Sequence, residues 1–150
     1  MNKGFTIIEL IVVIVIIAIL SAVILFTINL YINKGKDSNI AGNLAILIPA
    51  GEVYYNGNGN SYASFCNSSS NSVMKNAIAQ MPQNPLGSCY NNPNNLSGLC
   101  CYVDSVTNNK WAACAKKFTD NTKAFCVDSR GVKGDIAASS CNNTSLSQCP

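Results

Sequence analysis

From Leu10 to Asn33 the chain runs for 24 residues without a charged side chain. As an α-helix this run would extend about 36 Å, enough to cross the roughly 30 Å hydrocarbon core of a bilayer. It is rich in Ile and Val, which favour strands, but strands seldom exceed about ten residues, so length decides for a helix. A single helix also satisfies its own backbone hydrogen bonds in lipid. A cleaved secretory signal fits less well, because its apolar core spans roughly 7 to 15 residues and ends in a small-x-small site. The nearest match, Leu20-Ser21-Ala22, has Leu where a small residue is needed, and the apolar run continues through Val23, Ile24, Leu25 and Phe26.

One carboxylate, Glu9, stands at the mouth of this run. An unpaired carboxylate inside hydrocarbon is costly, so it calls for neutralisation or a partner. The plainer alternatives are that Glu9 lies in the headgroup layer or favours a helix N-terminus through the macrodipole. Ala18 and Ala22, with Ser21 beside them, form a small-x-x-x-small pair that lets neighbouring helices approach.

The rest of the chain excludes much chemistry. It contains no histidine, which removes Ser-His and Cys-His nucleophile pairs and His-ligated metals. Charged residues make up 11% of the 150 residues, and the net charge of +3 is scattered. The nearest thing to a basic face is Lys116, Lys117, Lys123, Arg130 and Lys133, too loose a group to read as more than a solvated surface. Asp104, Asp128 and Asp135 do not form the ordered acidic loop that calcium requires and read as turn and strand-end residues. No metal and no cofactor is expected.

All eight cysteines (Cys66, Cys89, Cys100, Cys101, Cys114, Cys126, Cys141 and Cys149) follow the apolar run, in an Asn- and Ser-rich region without a C-x-x-C. An even number in that setting points to disulfides in an oxidising compartment. Lys3 before the span and Lys34 and Lys36 after it leave the charge rule ambiguous, and the cysteines place the C-terminal part on the oxidising side. Cys100 and Cys101, adjacent on an expected strand, should face opposite ways and take different partners. A two-residue turn at Asp120-Asn121 would set Cys114 against Val127, whereas a three-residue turn would oppose Cys114 to Cys126. The pairs expected are Cys114 with Cys126 and Cys141 with Cys149.

Beyond Asn33, Ile40, Leu44, Leu47, Gly51 and Tyr54 follow one another at the spacing of a helical face, so the helix is expected to continue to about Asn56. Gly35, Gly42 and Pro49 should bend or loosen it, and Asn56 to Asn60, "NGNGN", should stop it. "SNSVMKNAIAQMP" reads as a short helix with Val73, Ala77, Ile78 and Met81 on one side. "LCCYVDS", "KWAACAKKF" and "KAFCVDS" alternate like strands and suggest a three-stranded antiparallel meander followed by an irregular tail. Trp111 is expected to anchor the core. The fold class is α+β: a long N-terminal helix whose outer half packs on a small antiparallel sheet.

"KGFTIIELIVVIVIIAIL" resembles the N-terminus of type IV pilins and of the pseudopilins of type II secretion and competence systems, the prepilin family. The resemblance is close over about the first 32 residues and general beyond them. It implies a leader at residues 1–4, a transmembrane and filament-core half-helix at 5–33 and a globular pilin-like domain at 34–150. It further implies cleavage between Gly4 and Phe5 by a prepilin peptidase, N-methylation of Phe5, and roles for Thr6 and Glu9 in filament assembly. The new α-amino group on Phe5, of the same chain or a neighbour, would be the partner that Glu9 calls for.

The implied function is that of a structural subunit, not an enzyme. It would be anchored once in the cytoplasmic membrane, then assembled into a type IV pilus or related filament at the cell surface. Implied partners are the peptidase, copies of this chain and sibling pilins, an inner-membrane platform protein and an assembly ATPase. One alternative is a pseudopilin or minor pilin of type II secretion or DNA uptake, in which DNA becomes a partner. Another is a membrane-anchored, disulfide-rich binding module.

Overall fold

The computed structural model of the chain describes residues 4–82, 98–141 and 146–150. Helix α1 spans Ile7–Gly57 and falls across two compact units, Met1–Asn33 and Lys34–Pro150. Gly35, Gly42 and Pro49 lie inside it without ending it, and the "NGNGN" stretch does terminate it.

In the first unit the helix is apolar all round. Ile11, Ile17 and Leu25, which point to different sides, are 49%, 56% and 69% exposed. Among the described residues, α1 is the one helix long and apolar enough to cross a membrane, with a mean hydropathy of 3.4 in its most apolar window. Among the described residues, none of that window is buried.

In the second unit the helix becomes one-sided. Ile40, Leu44, Leu47 and Gly51 are buried and Tyr54 is half-buried, as their spacing predicts. They pack on a sheet formed by β1 (Leu99–Val103), β2 (Trp111–Lys116), β3 (Lys123–Asp128) and β4 (Lys133–Ala137), antiparallel throughout and in sequence order. Trp111 is fully buried and joins Leu44, Leu47, Phe65 and Met74 in the core between helix and sheet. Each large apolar side chain buried there contributes about 1.5 to 3 kcal/mol. Helix α2 (Ser72–Gln80) covers the end of this core. Asn71 caps it by accepting from the N–H groups of Val73 and Met74. Met74, absent from the face expected for this helix, is its most deeply buried residue, together with Ala77.

The architecture is α+β and pilin-like, with one correction: the sheet has a fourth strand. β4 lies in the tail expected to be irregular. Asp128 turns the chain by accepting from the N–H groups of Arg130 and Val132, and Gly131 takes a φ of 79°, where glycine has no Cβ penalty. The strand itself, Lys-Gly-Asp-Ile-Ala, has one exposed face and no deeply buried residue, so it carries little of the apolar signal that marks the other three.

The disulfides also correct the expected pairing. Cys114 and Cys126 do oppose each other in the register, as a three-residue turn would place them, yet neither bridges to the other. The bonds are Cys114–Cys141 and Cys126–Cys149, with Cys141 supplied by α3 (Ala138–Cys141) and Cys149 by the C-terminal residues. Both partners lie over the sheet face opposite α1, so sulfur crosses between layers instead of between strands. Cys101 faces α1 and bonds Cys66, whereas Cys100 is disulfide-bonded on the other face; the two adjacent cysteines therefore take different partners. Cys89 lies outside the described residues.

Candidate functional site

The residues singled out at the N-terminus (Gly4, Phe5, Thr6 and Glu9) occupy the entry into α1. Gly4, Phe5 and Thr6 precede the helix in exposed, non-helical backbone, with Phe5 83% exposed. The junction after Gly4 thus lies outside the helix. Thr6 is the cap. Its carbonyl accepts from Leu10 N–H, its hydroxyl accepts from Glu9 N–H at 3.4 Å, and its own N–H donates to Glu9 Oε2 at 2.9 Å. The Thr6 hydroxyl donates to the same oxygen at 2.7 Å.

This is a reciprocal capping box, Thr-x-x-Glu, in which two main-chain N–H groups left over at the helix start find side-chain acceptors. The cap is legible in the sequence as "TIIE", a Thr-x-x-Glu at the head of an apolar run. Glu9 therefore already has donors within its own turn. Beside it, Phe5, Ile8, Val12 and Val13 line a shallow apolar concavity on the helix surface. The arrangement can hold an anionic oxygen at the head of an apolar helix.

The other candidates disperse. Lys117 pairs with Asp135 at 2.7 Å, Lys123 lies 3.9 Å from Asp120, and Arg130 binds Asp128 at 2.6 Å, so three of the five basic residues face carboxylates. Asp104 caps its own turn by accepting from Val106 N–H at 3.1 Å and from the Thr107 hydroxyl. Asp128 is fully buried. Burial pushes its carboxyl up, but hydrogen bonds from the Arg130 guanidinium, Cys149 N–H and Arg130 N–H outweigh that and hold it below the ordinary Asp value. Asp104 and Asp128 thus serve separate turns, and Asp135 pairs with Lys117 from strand β4. Among the described residues, the metal-sized group is Cys100, Cys114 and Cys141. All three are in disulfides, and a disulfide sulfur offers no thiolate to a metal.

With this geometry in place, comparison with known proteins is informative at one end of the chain. Residues 1–25 match the family model described as the prokaryotic N-terminal methylation motif. The chain carries the type IV prepilin signature, the mark of pilin-like and pseudopilin subunits that a prepilin peptidase processes and that assemble with other pilins. No curated protein and no solved structure matches the chain. The apolar helix that the motif overlaps fits membrane anchoring.

Proposed function

We propose that this chain is a structural pilin subunit cut between Gly4 and Phe5, N-methylated on Phe5, and held in the cytoplasmic membrane by residues 5–33 until it enters a pilus or related surface filament. The observation that carries the reading is the methylation motif placed on a helix whose apolar residues are exposed on every side. Such a surface is stable only in lipid or against other apolar helices. One segment then serves both as anchor and as packing surface, and release from the membrane needs no refolding.

Cleavage after Gly4 converts the Phe5 amide into an amine one residue from the Thr6 cap. In the same low-dielectric layer, that ammonium is the natural counter-charge for Glu9. Paired between chains, the two would fix the axial register of neighbouring subunits. Assembly calls on the peptidase, sibling pilins, a platform protein and an ATPase, and the subunit itself performs no chemistry.

Two Glu9 variants separate charge pairing from capping. Glu9→Ala and Glu9→Gln are expressed in cells that assemble the filament, and processing and incorporation are scored by immunoblot of membrane and sheared fractions. Both should be processed, and both should be depleted from filaments, because Gln keeps the acceptor of the capping box but not the charge. Normal incorporation of Glu9→Gln would reduce Glu9 to a helix cap and remove its pairing role.

A further inference from the structure

The sheet face opposite α1 carries three cysteines in one cross-strand row: Cys100 is opposed to Cys114, and Cys114 to Cys126. Directly opposed residues share a face with Cβ atoms about 4.5 to 5.5 Å apart, close to the roughly 3.5 to 4.5 Å that a disulfide needs. The Sγ atoms of Cys100, Cys114 and Cys141 in fact all lie within 4.8 Å of one another. Wrong bridges along the row are therefore geometrically cheap, and Cys114–Cys126 is the closest in chain order. Yet Cys126 is joined to Cys149.

A non-covalent device holds Cys149 at that place. The buried Asp128 carboxylate accepts from Cys149 N–H at 2.9 Å, and Arg130 Nη2, itself 2.6 Å from Asp128 Oδ2, donates to the Cys149 carbonyl at 2.7 Å. Asp128 is two residues beyond Cys126 on the same strand, so both main-chain polar groups of Cys149 are gripped from the end of the strand that carries its partner sulfur. Charge-assisted bonds of this kind are the strong ones, and they need no oxidised sulfur to form.

We propose that the Asp128–Arg130 clasp assigns Cys126 to Cys149 during oxidative folding and so keeps Cys126 from bridging to its cross-strand neighbour Cys114. The competing outcomes use the same chemistry. With oxidised glutathione as the external disulfide, the Cys126 thiol loses its proton, attacks one glutathione sulfur and expels a glutathione thiolate. Whichever cysteine thiolate lies nearest then attacks the Cys126 sulfur of the mixed disulfide and expels the second glutathione. The clasp makes Cys149 the nearest.

The test reoxidises the reduced full chain in detergent micelles with reduced and oxidised glutathione, then maps bridges by non-reducing proteolysis and mass spectrometry. Asp128→Asn should lower the ratio of Cys126–Cys149 to Cys114–Cys126 by about tenfold, the equivalent of one lost charge-assisted bond. Arg130→Gln, which keeps the carboxylate and its main-chain donors, should shift the ratio the same way to a smaller extent. Asp37→Ala, which removes the acceptor of the Phe118 and Thr119 N–H groups elsewhere in the same domain, should leave the ratio unchanged. A wild-type ratio in either clasp variant, or an equal fall in Asp37→Ala, would overturn the assignment.

Discussion

The carboxylate of Asp37 brackets Phe118 across a sequence separation of 81: Oδ1 accepts from Phe118 N–H at 2.6 Å, and Oδ2 accepts from Thr119 N–H at 3.2 Å and from the Thr119 hydroxyl. Lys36 adds its ammonium 4.6 Å from the centre of the Phe118 ring. Within the second unit, the start of the helix is thereby pinned to the turn between β2 and β3. Asp37→Ala should destabilise the domain by about 1 to 3 kcal/mol, the usual effect of losing bonds to a charged acceptor. Denaturant unfolding of the detergent-solubilised protein checks this, and an unchanged midpoint would show the bracket to be idle.

Two helical glycines make opposite predictions. A Cβ at Gly51 would lie 2.8 Å from Trp111 Nε1 and 3.0 Å from two ring carbons, whereas a Cβ at Gly42 would meet nothing within 4 Å. The indole is rigid and fully buried, so it cannot yield as a flexible chain end would. Gly51→Ala should cost about 1 to 3 kcal/mol through overpacking, against a helix-propensity gain of about 1 kcal/mol. Gly42→Ala should stabilise by about 0.5 to 1 kcal/mol. Thermal unfolding followed by the fluorescence of Trp111, the only tryptophan, would show the two midpoints moving apart.

Asp128 gives the fold a dependence on acid. Its carboxyl is held below its ordinary value in the folded chain, so it stabilises the fold above about pH 3.9, the unfolded value, and that contribution fades as pH falls through the folded value. At about pH 7, Asp128→Asn should be less stable than the wild type by about 1 to 3 kcal/mol, since it removes the buried charged acceptor while the half-exposed Arg130 keeps its water. The gap should close in acid, where the wild-type carboxyl is itself neutral. Melting temperatures of both proteins across that range decide it, and a gap independent of pH would contradict the role given to the charge.

Periodicity revealed much of this fold. The stripe from Ile40 to Tyr54 is a direct record of burial, and the short apolar runs around Cys100, Trp111 and Cys126 belong to strands largely buried on both faces, so helix and sheet could be read from them. β4 was hidden because none of its residues is deeply buried, and Lys133, Gly134 and Asp135 leave little apolar pattern to see. The bridges were hidden for a different reason. Register brings Cys114 and Cys126 together, but partner choice depends on where Cys141 and Cys149 are brought over the sheet, and the Asp128–Arg130 contact that holds Cys149 there is tertiary. At the N-terminus the order of salience was reversed. Glu9 stood out for its charge, whereas its hydrogen-bonded partner was the modest Thr6 three positions before it.

The central claim is that the chain enters its working form only after proteolysis has created an amine on Phe5. Intact mass spectrometry of the protein purified from its own cells tests this most directly. The account predicts a species lacking Met1 to Gly4 and carrying one added methyl group on Phe5, with its cysteines in disulfides. A chain that retains Met1 to Gly4 throughout the membrane and surface fractions would contradict it.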